Sequence, residues 1–509
     1  MIPLSRLLLA SALLALPVDA TIVAAQAHAH AGAARKETIG TVHFPTTCAP
    51  AAAPRMDRAM ALLHSFEFGA TLKALDDVLA SDSTCAMAYW GIALARWSNP
   101  MAAGNRAPAV LAQGRAAAAT AQRLAPHASD RERGYIKAVS RLYDDYEHTD
   151  QHTREVAYER AMAELVAAQP ADTEAKIFHA IALVASALPT DKTYANQIEA
   201  GRILEALWVK QPDHPGLAHY IIHAYDVPAL APRARLAAQR YATIAPSAAH
   251  ALHMPSHTFT RVGLWQQSAD ANMRSMQVAS RSASIAEVLH ASDYAMYADL
   301  QMGRLREAKR ILDSLPALAA RFDPNAITGA APGSAGVFAL AAIPARWALE
   351  RRAWAEAAAI VPASTNFQHA DAMSWFARSL GASHTGDTAR ARAAIDSLNA
   401  IQQRLIAGAE PYWAEQVAVQ SLGAQAWLAL AEHRDSLALA TMREAARRED
   451  ATEKSAVTPG PLAPARELLG DMLVAMGRTK EARAEYQATL TREPGRRHAT
   501  QSLATAVNR

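Results

Sequence analysis

The sequence predicts an all-α fold, an α-solenoid of stacked helix-turn-helix units, from three observations. The chain has 509 residues, too many for one compact core, so it needs several domains or a repeat array. It is rich in alanine, has only 22 glycines and is 6% aromatic, a composition typical of closely packed helices. Patterns of small and large residues recur after 34 residues, the length of a repeating helical hairpin.

The N-terminus predicts an export signal at residues 1–20. Arg6 provides a basic start, an apolar stretch ends at Leu16, and Val18-Asp19-Ala20 is a small-residue cleavage site. Cleavage after Ala27 is the second option. The apolar stretch is too short to cross a bilayer, and so is every later one. We therefore expect an exported protein, periplasmic or secreted, with no membrane span after cleavage.

Residues 21–52 are predicted to form a flexible leader that contains the first of only two cysteines. An even pair of cysteines in an exported chain favours a disulfide between Cys48 and Cys85. The alternative is two unrelated buried thiols.

Two solenoid segments are predicted, at residues 53–322 and 337–509, on either side of a loop at 323–336 that is rich in Gly, Pro and Ala. A second interruption, residues 450–464, contains three prolines. In the last repeat, small residues let two helices touch, large residues fill the gap, and a proline ends the second helix. These residues are Gly470, Leu473, Gly477, Ala482, Tyr486 and Pro494.

Two histidine pairs of equal spacing lie one repeat apart. His219 and His223 form the first pair, and His253 and His257 follow each of them by 34 residues. A spacing of four residues places both imidazoles on one helical face. Pro255 weakens this argument for the second pair if the helix begins there.

These patterns resemble the tetratricopeptide repeat superfamily over roughly residues 53–494. More narrowly, several stretches resemble a group of exported bacterial proteins of this class without an assigned biochemical role. These stretches are FPTTC (44–48), ALLHSFEF (61–68), CAMAYWGIA (85–93), HYIIHAYD (219–226), HALHMPSHTFTRVGLW (250–265) and HASDY (290–294).

The resemblance implies that the first helix of each hairpin lines a concave groove. The four paired histidines would then face this groove together with further polar residues. These further residues are Asp226, His250, Arg261, His290, Asp293 and Tyr297. His64 would face the same groove, but too far along the array to join the cluster unless the solenoid curls tightly.

Neutral imidazoles from adjacent helices can share one transition metal, with carboxylates to orient them. We expect His219, His223, His253 and His257 to share zinc, copper, iron or nickel. Two alternatives stay open. The groove binds a peptide or small ligand, or the histidines simply pack.

Composition and motifs restrict the functions. The net charge of +3, from 51 basic and 48 acidic residues, gives no reason to expect nucleic acid. The sequence contains no phosphate loop, GxSxG or HExxH motif. Two hypotheses remain. One is a binding or scaffold protein whose partner is a protein, a peptide or a small ligand. The other is a metalloenzyme with Asp226 or Asp293 as base.

Overall fold

The computed structural model describes residues 37–507, so the predicted signal peptide and both cleavage sites lie outside this part of the chain. All regular structure among the described residues is helical, with 24 α-helices and three short 3₁₀ helices. The all-α prediction is confirmed. In this same part of the chain, no helix is both long enough and apolar enough to cross a membrane.

In chain order, the α-helices are α1 (Ala53–His64), α2 (Phe68–Ser81), α3 (Ala86–Trp97), α4 (Pro108–Leu124), α5 (Asp130–Arg141), α6 (Gln151–Ala168), α7 (Thr173–Ala185), α8 (Ala195–Trp208), α9 (Pro215–Ala224), α10 (Arg235–Ile244), α11 (Ala249–His253), α12 (Pro255–Arg261), α13 (Trp265–Arg281), α14 (Ile285–Gln301), α15 (Leu305–Ala319), α16 (Gly333–Glu350), α17 (Trp354–Ala359), α18 (Gln368–His384), α19 (Thr388–Ala407), α20 (Pro411–Ala431), α21 (Asp435–Asp450), α22 (Ala465–Ala475), α23 (Thr479–Arg492) and α24 (Arg497–Val507). The 3₁₀ helices are Pro50–Ala52, Ala125–His127 and Ala231–Ala234.

Helices that follow each other in the chain pack as hairpins, and nine pairs among the described helices are joined by three-residue turns. The middle residue of each of these turns has a positive φ, between 54° and 79°, which reverses the chain at the end of a helix. These middle residues are Phe66, Gly263, Ala283, Gly303, Arg352, Gly386, Ala409, His433 and Gly477.

The last repeat has the predicted packing. A Cβ atom on Gly470 would lie only 2.7 Å from the Tyr486 ring, so the glycine lets α22 and α23 touch. Gly477 occupies the turn between these helices with a φ of 73°.

Residues 39–49, which lie in the described part of the predicted leader, are docked on the repeats. The Phe44 ring stacks on Trp90 with the ring centroids 5.5 Å apart. The Thr41 amide donates to the Asp213 carbonyl at 3.0 Å. A disulfide links Cys48 to Cys85, the residue before α3, with a Cα–Cα distance of 4.9 Å. Burial of apolar side chains and this cross-link hold the segment in place.

The predicted loop at 323–336 is shorter in the structure, because Gly333–Gly336 belong to α16. The chain from Thr38 onwards forms one compact unit that contains this loop. The two largest apolar clusters nevertheless lie mainly on either side of it, at residues 39–259 and 338–499.

Two long-range contacts enclose the helices that carry the histidines. The stack curls so that α1 packs against α9. Residues 451–464, here called the covering segment, connect α21 to α22 and cross over α14. The Tyr294 hydroxyl on α14 donates to the carbonyls of Ala456 and Thr458 at 2.9 and 3.0 Å.

Candidate metal centres

Six histidines from neighbouring helices meet in the protein interior. They are His219 and His223 on α9, His250 and His253 on α11, His257 on α12, and His290 on α14. None is more than 6% exposed. The sequence analysis expected these side chains to line a concave groove, and the structure buries them.

The six rings form two groups of three, rather than one group of four. His219, His223 and His250 form the first trio, with one ring nitrogen of each within 4.8 Å of the others. His253, His257 and His290 form the second trio by the same measure. The structure thus places the two predicted pairs in different trios. Each trio also contains a third histidine, which the sequence analysis had assigned to the groove but not to the metal site.

Within each trio, the predicted pair is in direct contact. The Nε2 atoms of His219 and His223 are 3.0 Å apart, and so are those of His253 and His257. Pro255 interrupts the helix between α11 and α12, but Met254 keeps helical angles (φ −53°, ψ −35°). His253 and His257 therefore still face each other across one turn.

Hydrogen bonds set the tautomers of the second pair. The His253 Nδ1–H donates to Asn272 Oδ1 at 2.6 Å, and Asn272 donates its amide hydrogen to the Ser268 carbonyl. The His257 Nδ1–H donates to Asp226 Oδ2 at 2.9 Å. In the neutral rings both Nε2 atoms then carry lone pairs, and these face each other at 3.0 Å. A proton or a metal cation placed between them relieves that repulsion.

Burial disfavours the proton. It lowers the pKa of His253 well below the ordinary value, and the neighbouring imidazoles lower it further. Burial also lowers the pKa of His257, although Asp226 opposes the shift. The pKa of His290 falls to about 3 for the same reason. The second trio therefore presents neutral imidazoles, the form that ligates metals.

The first trio has the same kind of outer support. The His219 Nδ1–H donates to the His64 carbonyl at 2.6 Å, so the His219 Nε2 carries a lone pair, and it faces His223 Nε2 at 3.0 Å. His250 Nδ1 lies 3.2 Å from Glu287 Oε1, and its buried Nε2 has no hydrogen-bond partner. Burial and the nearby imidazoles lower the pKa of His219 and His223 well below the usual value.

Asp226 and Arg261 lie behind the second trio rather than in it. Arg261 donates to Asp226 Oδ1 at 2.9 Å, and Lys454 Nζ lies 3.5 Å from Asp226 Oδ2. Burial alone would raise the pKa of Asp226, but these two cations hold it well below its usual range. Asp226 therefore stays charged and orients His257, as carboxylates behind metal-bound histidines do.

Asp293 and Tyr297, also predicted in the groove, make other contacts. Arg346 donates to both carboxylate oxygens of Asp293, at 2.7 and 3.3 Å. The Tyr297 hydroxyl donates to Glu493 Oε2 at 2.8 Å. Both residues stabilise the packing of α14 against later helices.

A third buried group, His64, Glu174 and His214, also brings suitable atoms within 4.8 Å. Its facing atoms pair with one another by hydrogen bonds, although His214 Nδ1 is buried without a partner. His64 Nε2 and His214 Nε2 each donate to one oxygen of Glu174, at 2.8 and 2.9 Å. The Tyr220 hydroxyl lies 3.1 Å from His64 Nδ1. His64 lies beside the cluster because the stack curls α1 onto α9, which is the condition that the sequence analysis set for it.

Sequence reasoning missed four residues that surround the trios, namely Phe66, Glu67, Asn272 and Glu287. Phe66 packs on His219 with ring centroids 4.4 Å apart. Glu67 accepts the His250 backbone amide at 3.2 Å, and burial with the nearby Glu287 raises the pKa of Glu67 to about 8. Asn272 carried no sequence signal. Phe66 and Glu67 lie in ALLHSFEF, a stretch that the resemblance had already marked.

A cavity of about 30 Å³ touches both trios, through His223 and His250 on one side and His257 and His290 on the other. It offers room for water beside the ring nitrogens but not for an organic substrate. His369 and Trp413 stack with centroids 4.0 Å apart and line the same cavity.

No known family model matches the sequence, and no curated protein matches it. Among solved structures, the chain is similar to yeast Tom70, at 10% identity and a TM-score of 0.36 over 90% of this chain and 95% of that one. It is also similar to human IFIT1 bound to m7Gppp-AAAA, at 10% identity and a TM-score of 0.37 over 79% and 86%. Likeness at these scores carries no argument about function.

Proposed function

We propose that this protein binds two transition-metal ions in the interior of its solenoid, one in each histidine trio. The observation that supports the proposal most is the pair of Nε2 lone pairs of His253 and His257, which face each other at 3.0 Å. Two nitrogens that bind one ion at about 2.0–2.1 Å come within about 3.0–3.4 Å of each other at ordinary angles.

The donor set restricts the metal. All six inner ligands are imidazoles, which suit zinc, copper, iron or nickel better than magnesium or calcium. Hydrogen bonds to the His64 carbonyl, Asn272 and Asp226 orient three of the rings. Metal-bound histidines almost always have such a partner on the second ring nitrogen, so this outer layer supports a metal site.

A second candidate function is a metalloenzyme. Three protein ligands with an open position are typical of catalytic zinc sites, and the cavity beside the trios has room for a water ligand. The earlier choice of Asp226 or Asp293 as base is not supported, because Arg261 and Arg346 pair with these carboxylates. An enzyme would need another base.

The binding-module hypothesis also changes. A peptide or protein partner cannot reach the histidines from an open groove, because the covering segment and the curled stack enclose them. We propose that such a partner, if one exists, binds the outer surface. We further propose that the protein works outside the cytoplasm, which the N-terminal sequence and the disulfide support.

Metal analysis of the purified chain tests the proposal. After reconstitution with zinc and desalting, we expect two ions per chain. His257→Asn should retain one ion, and His219→Asn should also retain one, because each change disrupts a single trio. His384→Gln changes a half-buried histidine that stacks on Trp354, and it should retain both ions.

Other stoichiometries discriminate between the models. One ion per wild-type chain, lost in both variants, would support a single shared site. A folded wild-type chain that retains no zinc, copper, iron or nickel would overturn the proposal. Circular dichroism of each variant separates loss of metal from loss of fold.

A further inference from the structure

The two histidine trios border on each other. Across this border, the ring centroids of His223 and His257 are 6.1 Å apart, and those of His250 and His253 are 5.7 Å apart. Within a single trio, two rings lie as far apart as 6.4 Å, for example His223 and His250. By this measure the spacing between the trios is no wider than the spacing within them, so ions bound in the two trios are neighbours.

The cavity of about 30 Å³ beside the trios lies on both sides of this border. His223 and His250 line it from the first trio, and His257 and His290 line it from the second. In each trio, one of these rings has a buried nitrogen without a hydrogen-bond partner, His250 Nε2 in the first and His290 Nδ1 in the second. A ligand in this cavity is therefore in reach of both trios.

The protein supplies no anion to this cavity, since none of the described residues that line it is acidic. The carboxylates of Asp226 and Glu287 lie behind the rings, each against the Nδ1 atom of a histidine. Arg261 and Lys454 pair with Asp226. Two metal cations that are neighbours in a buried site repel each other strongly, so an anion from the solvent is needed between them.

The size of the cavity restricts this anion. A buried water molecule needs about 10–15 Å³ of such space, so the cavity has room for about two groups of that size. An organic anion does not fit, whereas hydroxide does. Metal ions lower the pKa of a bound water molecule, which then releases a proton to the solvent and becomes hydroxide.

We propose that the two trios form one dinuclear centre, in which a single hydroxide in this cavity bridges the two metal ions. This inference rests on the proposed function, because it needs both ions to be bound. Each ion keeps three histidines of its own, so one ion can stay when the other is lost. The bridge adds a fourth ligand to each ion, as in two-metal sites whose ions lie about 3.5–4 Å apart.

Copper tests for the bridge by electron paramagnetic resonance (EPR). Cu(II) binds nitrogen ligands more tightly than zinc does, so it should load the same trios. A single-atom bridge pairs the spins of two Cu(II) ions and removes their EPR signal. After loosely held copper is removed on a chelating column, we expect two copper ions per full-length chain and a signal that accounts for well under half of them. Acid unfolding should restore the whole signal, which shows that the copper is Cu(II).

Variants test whether a ligand in the cavity couples the ions. Ala103, a half-buried residue in the loop between α3 and α4, lines the cavity. Ala103→Leu should fill the cavity and leave all six histidines in place, so both ions stay and their EPR signal appears. Ala107→Leu is the control and should stay largely silent, because Ala107 is exposed in the same loop and does not line the cavity. His257→Asn, which keeps one ion, should show the full signal of that ion.

The copper content and the EPR signal separate this proposal from the metal proposal. Two bound Cu(II) ions with a signal that accounts for both would overturn the bridge and leave the two-ion proposal intact. A silent Ala103→Leu variant with both ions bound would also overturn the bridge, because the coupling would not depend on the cavity. One copper ion per wild-type chain, or none, would overturn both proposals.

Discussion

At the scale of single residues, the hydrogen bonds behind the histidines determine what the rings can bind. His253 and His257 have the spacing that the sequence predicted, but spacing does not determine which nitrogen carries the proton. Asn272 and Asp226 accept the Nδ1 hydrogens, so both Nε2 lone pairs point inward. The chemistry of the pair therefore depends on two residues that are not histidines.

Replacement of Asn272 should weaken metal binding in the second trio alone. We expect Asn272→Leu to lower zinc affinity in the second trio by about 10- to 100-fold, because His253 loses the partner that orients it. A chelator competition at two sites measures this, and the first trio should be unaffected. Asn399→Leu is the control, because Asn399 accepts from Ser421 in the C-terminal repeats. Equal weakening of both trios would contradict the separate-site model.

The stability of the metal-free protein should decrease in acid. Burial lowers the pKa of five of the six trio histidines below the ordinary value of 6.5, so the unfolded chain binds protons that the folded chain does not. Stability is therefore complete above about pH 6.5 and decreases below it, by up to about 1.4 kcal/mol per pH unit for each such histidine. Urea unfolding at pH 7.5, 6.0 and 5.0 measures the slope. A free energy of unfolding that is the same at all three pH values would refute this prediction.

At the scale of helices, close packing positions the first trio. Gly201 on α8 faces Tyr225, the residue after α9, and α9 carries His219 and His223. A Cβ atom on Gly201 would lie 2.1 Å from the Tyr225 hydroxyl oxygen and 2.2 Å from the ring carbon Cζ. Tyr225 is fully buried and its hydroxyl donates to Glu205 Oε1, so its ring has little room to move.

Gly201→Ala should therefore destabilise the protein by about 1–3 kcal/mol and reduce metal binding in the first trio. Gly423→Ala is a matched control within α20, where a Cβ would meet its nearest neighbours at 3.7–3.8 Å. This second change should stabilise by about 0.5–1 kcal/mol, because alanine favours helix more than glycine does. Thermal denaturation compares the two variants. Similar shifts of the melting temperature in both would contradict the packing argument.

At the scale of the whole molecule, a non-helical segment ties separate repeats together. Residues 38–49 contact Ser247, Asp213 and Glu132 through hydrogen bonds, and the disulfide fixes their end beside α3. The segment thus spans helices that are far apart in sequence. It stabilises the curl that brings α1 against α9.

Replacement of both cysteines by serine should lower the free energy of unfolding by about 4 kcal/mol, the loop-entropy value for a 37-residue separation. Metal content should not change, because the disulfide lies outside the histidine helices. Denaturant unfolding with and without reductant measures the effect. Equal stability of the oxidised and reduced wild-type protein would show that the docked segment holds without the cross-link.

The sequence by itself determined the all-helical stack, the hairpin of the last repeat around Gly477, the cysteine pair, and the face that each histidine pair shares. These properties depend on local spacing, and helix geometry converts spacing into position.

Only the tertiary structure decided which histidines meet and whether solvent reaches them. The curl of α1 onto α9 brings the His64 carbonyl to His219, and the covering segment closes over α14. Both contacts join residues more than 150 positions apart. Their positions depend on small rotations summed over many hairpins, which no local pattern contains. For that reason the structure contains two buried trios, whereas the sequence predicted four histidines that share one ion in a concave groove.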